Sequence, residues 1–582
     1  MSAVTTVASE TRDRVEVPVD ASPSAPASPY AGHEDALVLP PNDTELYWYL
    51  GPQRRWVQVV GTIAFALAAY SLVRFSLTSP WLYPLLGILA VSVAASLFSM
   101  ISGLNRRRVR TRRSHDAFID DWHRRTPAHE VPSVDVFLPS AGEDLAVLRN
   151  TYLWVSRMRW RGALDVWVLD DADKPEVRAL AAEHGFHYRV RPNRGHLKKA
   201  GNLLYGYGQS ANDHIVIFDA DFCPRADFLD HTIPYLEQDE RIGILQTPQF
   251  FETQGEMNWL ERTAGATQEL FYRWVQPSRD AAGAPICVGT CAVYRRAALD
   301  AAGGFAQIEH SEDVHTGIKL NLAGFSVRYV PIVVSRGLCP DDLAGFVNQQ
   351  YRWCNGSMTL MVSGAANRKP LGLRQRFAFW SGFLYYISTA LNVFFVHVPG
   401  MLMAIFFAAE VRADHYIPFL AGALMYFAIM PRVMRSRWRF EVLRVQMAYS
   451  FSHALAIVHK VFGRTAGWVA TGAVGKKNHL ANTIATVGAV ALGLTLGISW
   501  GAFAVDVAVY GWSEFWAMGL FLAAYTYLAW PLMIEFAKLR LASLELRLPR
   551  PRLRHWVRSG WSAEAPEPVL ATAHAASARE VG

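Results

Sequence analysis

The stretch HIVIFDAD, residues 214–221, decides the fold of the central part of the chain. An apolar run that ends in two carboxylates predicts a buried strand with acidic residues at its carboxyl end. VDVFLPS at 134–140 is an apolar run that ends in turn residues, DVWVLDD at 165–171 is one that ends in carboxylates, and a helical pattern follows at 175–185. Alternating strands and helices predict a mostly parallel sheet with helices on both faces, which binds ligands at the carboxyl ends of its strands.

The carboxylates at these strand ends are the first candidate site residues. Asp219 and Asp221, one residue apart, can hold a hard divalent cation, Mg²⁺ or Mn²⁺, whose shell a diphosphate would complete. A solvated loop is the alternative for this pair. Asp170 and Asp171 can accept hydrogen bonds from a nucleotide base or ribose. Their alternative is a helix N-cap before Pro175, which Asp173 could equally supply.

Three further motifs follow the same order along the chain. Asp313, in Ser-Glu-Asp at 311–313, can act as a general base, and its alternative is a helix cap. In QQYRW at 349–353, the indole can stack on a sugar and the guanidinium can bind phosphate; a helix packed on the membrane side is the alternative. Lys199, in KAGN, is a candidate phosphate partner, or else a solvated lysine.

Apolar blocks flank this central segment in a chain of 582 residues, of which 51% are hydrophobic. Blocks of about 20 residues can cross a bilayer as helices. We predict six such spans, the third of which contains Pro399, at 56–77, 81–104, 377–408, 416–431, 481–504 and 513–536.

The basic residues predict the topology. The net charge is +7, and the arginines cluster beside the apolar blocks, which favours a membrane protein over a nucleic-acid-binding protein. By the positive-inside rule, six spans place both termini and the central segment in the cytosol, at the plasma (inner) membrane. The five cysteines have no zinc-finger spacing and are expected to be reduced.

The predicted domain organisation follows from these patterns. An amphipathic helix at about 437–462 is expected on the cytosolic membrane face, with a surface helix of a soluble loop as the alternative. The domains are a disordered tail at 1–45, two spans in 46–105, a cytosolic α/β domain at 106–370, four spans in 371–540, and a basic, then disordered, tail at 541–582.

The order DD, KAGN, DxD, QTPQFF, SED and QQYRW resembles the processive inverting glycosyltransferases of family 2, most closely the cellulose synthases and their relatives, over about residues 130–480. The resemblance implies a GT-A type nucleotide-sugar-binding domain inserted in a multi-pass membrane domain. It departs from the family pattern at Ala141, where an aromatic residue is usual, and at Gln249, where His is usual. Residues 464–478 resemble a gating loop, although the basic residue is displaced to Lys476.

The resemblance also implies a role for each motif. Asp313 is the implied base. The nucleotide-sugar ligands are Asp170, Asp171, Glu143, Lys199, Asp219, Asp221, Gln349 and Arg352, and Asp219 and Asp221 also hold the metal. The implied acceptor-binding residues are Trp353, Glu312, Cys287, Gly289 and Thr290.

The implied function is the polymerisation of a cellulose-like β-glucan from UDP-glucose, with export through the membrane domain. The expected partners are a UDP-sugar, the growing glycan, the lipid bilayer and accessory export subunits, and no nucleic acid. One alternative is a non-processive enzyme that glycosylates a lipid. Another is a non-catalytic membrane protein with a degenerate domain.

Overall fold

The computed structural model describes residues 37–51, 55–103, 108–109, 111–251, 257–395, 398–436, 438–464 and 479–543. The predicted tails, up to residue 36 and from residue 544, lie outside these residues, and so does the predicted gating loop from residue 465.

The strands form two sheets. Their bounds are β1 Val134–Ser140, β2 Leu164–Asp170, β3 His187–Arg189, β4 His214–Ile217, β5 Phe222–Pro224, β6 Ile242–Gln246, β7 Phe250–Phe251, β8 Ala292–Arg295, β9 Ser326–Tyr329 and β10 Ser335–Gly337. The main sheet has the order β3-β2-β1-β4-β8-β6-β9, and the smaller one has the order β5-β10-β7. In the main sheet only β8 runs antiparallel to its neighbours, which confirms the mostly parallel sheet.

Eighteen helices are present in the described part of the chain. Their bounds are α1 Arg55–Leu77, α2 Pro84–Gly103, α3 Arg112–Arg125, α4 Leu145–Val155, α5 Pro175–Glu183, α6 Lys198–Gln209, α7 Phe228–Glu237, α8 Trp259–Leu270, α9 Gln276–Ala281, α10 Arg296–Ala302, α11 Glu312–Leu322, α12 Leu343–Ser363, α13 Leu373–Phe395, α14 Val398–Phe406, α15 Ala413–Val433, α16 Val442–Val461, α17 His479–Tyr510 and α18 Trp512–Ser543. A π-helical turn, Phe271–Val275, joins α8 to α9.

The central strands are buried on both faces of the sheet. Val136 and Phe137, neighbours on β1, are both inaccessible to solvent and belong to two different apolar clusters. Successive side chains of a strand point to opposite faces, so each face has its own apolar layer. This two-sided burial confirms the mixed α/β architecture and leaves the strand ends as the place for polar chemistry.

Five helices of the described residues are long and apolar enough to cross a membrane: Arg55–Leu77, Pro84–Gly103, Ala413–Val433, His479–Tyr510 and Trp512–Ala542. They coincide with five of the six predicted spans. The remaining one, predicted at 377–408, corresponds to α13 and α14, which lie on either side of residues 396–397, and these two residues are outside the described part of the chain.

Before α1, residues 37–51 are described and packed, so the prediction of a disordered tail that extends to residue 45 is wrong at its end. Leu46 and Tyr49 are each only 3% exposed, and the amide of Val333 donates to the Leu46 carbonyl at 3.0 Å. The Arg336 guanidinium forms a buried ion pair with Glu45. Burial against the α/β domain orders this segment, which local composition alone does not reveal.

The predicted amphipathic helix corresponds to α16. It packs against α12, α13 and α8, and many of its side chains are buried. Arg444 on this helix donates to the carbonyls of Tyr527 and Leu528 in α18. Pro531 cannot donate a backbone hydrogen bond to Tyr527, so Arg444 supplies a donor at a helix defect. The helix thus forms a layer between the α/β domain and the candidate spans.

Candidate active site

The ammonium group of Lys199, in the KAGN motif, lies close to residues of three other motifs: the DxD motif, the 287–290 loop and the SED motif. Its Nζ lies 2.5 Å from Oδ1 of Asp219, 2.8 Å from the carbonyl of Gly289 and 3.8 Å from Oε1 of Glu312. Burial alone would lower the pKa of Lys199, but Asp219 and Glu312 raise the pKa above its usual range. Lys199 is therefore a charged group among the carboxylates, which argues against the alternative of a merely solvated lysine and leaves its contact with a phosphate a prediction.

Asp313 faces the same centre from the start of α11. Ser311 is the N-cap residue of that helix, so Asp313 is not its cap, and its Oδ1 accepts from the amide of Val314 at 2.7 Å. Gly289 has a φ of 76°, and a Cβ there would lie 3.0 Å from Cβ of Asp313. Glycine thus allows the loop to approach the carboxylate closely.

Burial and, secondly, the charge of Glu312 raise the pKa of Asp313 to about 7. A carboxylate with a pKa near the operating pH can accept a proton during a reaction and still be ionised beforehand. The position and the pKa together suit a general base.

Asp219 and Asp221 have the chemistry of a divalent-metal site. Burial and the nearby charge of Asp219 raise the pKa of Asp221 to about 7, which a cation bound between the two carboxylates would relieve. Their oxygen donors fit Mg²⁺ or Mn²⁺. No group of three His, Cys, Asp or Glu residues suits a metal among the described residues. Phosphate oxygens and water would therefore have to complete the shell.

Helix α12 carries the QQYRW motif and packs against α11, the helix of Asp313. Gln349, Arg352 and Trp353 are half-buried and share one helix face, because residues three and four apart lie side by side. Burial lowers the pKa of Arg352, while the charges of Asp219, Glu312 and Asp313 oppose that shift. Those interactions place the guanidinium near the predicted site for a diphosphate.

Asp170 orders the loop that follows β2. Its carboxylate is inaccessible to solvent and accepts from Ser140 Oγ at 3.2 Å, from the amides of Ala172 and Lys174 at 2.9 Å each, and from Tyr188 Oη at 2.8 Å. Lys174 is the N-cap residue of α5, without a side-chain cap. The alternative of a helix N-cap is therefore wrong; Asp170 orders the loop, and its direct contact with a nucleotide stays a prediction.

Two other residues assigned to the nucleotide also have internal partners. Asp171 forms two contacts of 2.5 Å with the guanidinium of Arg191. Oε2 of Glu143 accepts from the amide of Ala141 at 2.6 Å, and burial raises the pKa of this glutamate. Both side chains therefore shape the loops beside the site, whatever else they contact.

Buried hydrogen-bonding contacts support the loop at 287–290. Cys287 Sγ lies 3.0 Å from Tyr294 Oη, and Thr290 Oγ1 accepts from the amide of Asp219 at 2.9 Å. Both residues are at most 1% exposed. Gly289 abuts Asp313, whereas the buried Cys287 and Thr290 support the loop, and contact of these three residues with an acceptor stays a prediction.

Sequence reasoning missed two buried residues that build the site. Gln246 spans the loop, donating to the carbonyl of Thr290 and accepting from the amide of Val288, both at 2.8 Å. Arg191, the second residue, pairs with Asp171. Gln246 lies in the recognised QTPQFF motif, which could have identified it.

Backbone strain also marks the site. Four non-glycine residues with positive φ lie in the loops around it: Leu197, Lys198, Cys291 and Ser311. Such residues cluster at functional sites because strain persists only where the surrounding structure enforces it.

Comparisons with known proteins agree with this geometry. Residues 214–432 match the sequence model of glycosyl transferase family group 2. The chain is 32% identical over 332 residues to cellulose synthase 1 of Komagataeibacter xylinus, covering 55% of this chain and 21% of that protein. It is 32% identical over 333 residues to the UDP-forming cellulose synthase catalytic subunit of Pseudomonas fluorescens, covering 56% and 44% respectively. The chain thus spans less than half the length of these curated relatives.

Among solved structures, the chain is similar to the mannosyltransferase PcManGT from Pyrobaculum calidifontis in complex with GDP-Man and Mn²⁺. The TM-score is 0.46 at 16% identity, covering 65% of this chain and 99% of that one. Glucosyl-3-phosphoglycerate synthase from Mycobacterium tuberculosis gives a TM-score of 0.27 at 16% identity, covering 38% and 74%.

Residues 214–432 are thus similar to glycosyl transferase family group 2, within a mixed α/β fold. The chain is also similar to cellulose synthases.

Proposed function

We propose that the chain is an inverting, processive glycosyltransferase that extends a β-1,4-glucan from UDP-glucose. The observation that carries this proposal is the convergence of KAGN, DxD, SED and the 287–290 loop on the ammonium group of Lys199. Similarity to cellulose synthases supports the choice of polymer and donor.

In the proposed reaction Asp313 removes the proton from the 4-hydroxyl of the terminal acceptor sugar. The oxygen attacks the anomeric carbon on the side opposite UDP, a new C–O bond forms, and the bond to the diphosphate breaks with its electron pair leaving on UDP. One displacement inverts the configuration from α to β. Lys199 and Arg352 offset charge on the departing diphosphate. A divalent cation held by Asp219 and Asp221 would supply further charge stabilisation.

Export is the second part of the proposal, with six spans and both termini in the cytosol. Beside α12, His453 of α16 lies between Tyr386 of α13 and Tyr449 of α16, with ring centroids 4.9 and 5.0 Å away. His453 Nδ1 lies 2.7 Å from Thr389 Oγ1, and its buried Nε2 has no hydrogen-bond partner among the described residues. Aromatic faces and polar groups of this kind suit a sugar chain leaving the site.

The proposal is tested with purified protein in lipid nanodiscs, supplied with individual UDP-sugars. We expect UDP release with UDP-glucose, its loss on chelation of divalent cations, and its loss in an Asp313→Asn variant. Asp300→Asn, an exposed carboxylate that contacts Tyr207 away from the site, is the matched control and should retain activity. Release of UDP with one sugar transferred to lipid would instead support the non-processive alternative.

A further inference from the structure

Arg191 is a buried cation that the proposed reaction does not use. It follows β3, is 1% exposed, and donates to both carboxylate oxygens of Asp171 at 2.5 Å. It also donates to the carbonyls of His196 and Lys198, at 2.5 and 3.0 Å. A buried guanidinium is stable only when it is paired and hydrogen-bonded, and Arg191 is paired by Asp171 and hydrogen-bonded to the turn at 196–198.

The loop that Arg191 holds leads directly into the site. Leu197 and Lys198 have φ values of 53° and 48°, which L-residues rarely adopt. The carbonyls of His196 and Lys198, which flank this left-handed turn, both accept from Arg191. Lys199 follows at once, in the first turn of α6, and reaches Asp219.

The glycine of KAGN belongs to the same arrangement. A Cβ at Gly201 would overlap Nη1 of Arg191 and the carbonyl of His196. Any larger residue there would displace the guanidinium or the turn. The KAGN glycine is therefore explained by the close approach of Arg191.

We propose that Arg191, anchored by Asp171, is a positioning residue that sets Lys199 against the donor diphosphate. Asp171 then acts through Arg191 and the turn at 196–198 rather than through a contact with the nucleotide. This inference rests on the proposed function, because it concerns the binding of a UDP-sugar. It predicts that Arg191 and Lys199 contribute to donor binding as one unit.

The test is a double-mutant cycle with Arg191→Lys and Lys199→Ala. Lysine keeps the charge but cannot make the paired contacts of a guanidinium. We expect each single variant to raise the KM for the UDP-sugar by roughly ten-fold to a hundred-fold, the scale of a misplaced binding group. The double variant should stay within about two-fold of Lys199→Ala alone. Binding of UDP, measured by calorimetry, should show the same non-additivity.

Arg189→Lys is the matched control, because Arg189 is the last residue of β3, two residues before Arg191, stacks on Trp167 and donates to a backbone carbonyl. It should leave the KM unchanged. If Arg191→Lys does not fold, Asp171→Asn replaces it, since the amide keeps the shape but removes the paired charge. If the increase in KM in the double variant equals the product of the increases in Lys199→Ala and in the Arg191 or Asp171 variant, the positioning role is overturned. Absence of UDP release by the wild-type protein with every UDP-sugar would instead refute the proposed function, and this inference with it.

Discussion

Replacing Glu312 by Gln should move the acid limb of the pH–rate profile. Asp313 must be ionised to accept a proton, and its pKa is raised to about 7 by burial and then by Glu312. Activity should therefore be present above about pH 7 and fall ten-fold per pH unit below it. The Gln variant keeps the burial and removes the like charge, so the pKa of Asp313 must fall.

The size of this change follows from the interaction that is lost. A like charge in direct proximity is worth roughly one to three pKa units in a partly buried site, and each unit corresponds to 1.36 kcal/mol. The charge of Lys199 also faces this pair, with Nζ 3.8 Å from Oε1 of Glu312, which reduces the net effect. We therefore expect the midpoint of the acid limb to fall by about one pH unit.

The assay measures UDP release from about pH 5 to about pH 9, with kcat/KM as the readout because it reports the pKa of the free enzyme. Glu309→Gln, which removes an exposed carboxylate on the preceding loop, is the control and should leave the limb in place. An unchanged limb in Glu312→Gln, or a wild-type midpoint near the usual carboxyl pKa of about 4, would refute the assignment of Asp313 as base.

Four further outcomes are expected. Asp313→Asn should reduce kcat by about 100- to 10,000-fold, and near-normal UDP release would exclude Asp313 as the base. The same variant should raise Tm at high pH relative to wild type, because a carboxyl whose pKa is raised by folding stabilises the fold only at low pH; equal Tm differences at low and high pH would contradict the raised pKa. Asp221→Asn should weaken Mn²⁺ binding in the presence of UDP, as read by calorimetry, and unchanged binding would remove it from the metal site. Tyr49→Ala should lower the free energy of unfolding by about 3 kcal/mol, since the side chain is buried in the core, and a loss below about 1 kcal/mol in denaturant titration would show that the segment before α1 contributes little.

The sequence predicted those strands and helices whose local pattern of apolar and turn residues is sufficient to specify them. The run at 134–140 is β1 without change, because apolar residues bounded by turn residues favour a buried strand in any surroundings. Asp219 and Asp221 follow β4 as expected, although the strand ends earlier, at Ile217. Their neighbourhood could be anticipated because the carboxyl ends of parallel strands meet at one edge.

What the sequence could not show depends on partners distant along the chain. One example is the pairing of Asp171, a predicted nucleotide ligand, with Arg191, 20 residues away. The order of the segment before α1 depends on Glu45 meeting Arg336 and on Leu46 entering a core formed by later residues. Burial of this kind follows from tertiary packing, which local composition does not encode.

The most direct test of the account is the product made by the purified protein from radiolabelled UDP-glucose. We predict a polymer of many sugars that an endo-β-1,4-glucanase digests completely, with none formed by Asp313→Asn. A product of one or a few sugars attached to lipid, or a polymer resistant to that glucanase, would contradict the proposed processive β-1,4-glucan synthesis.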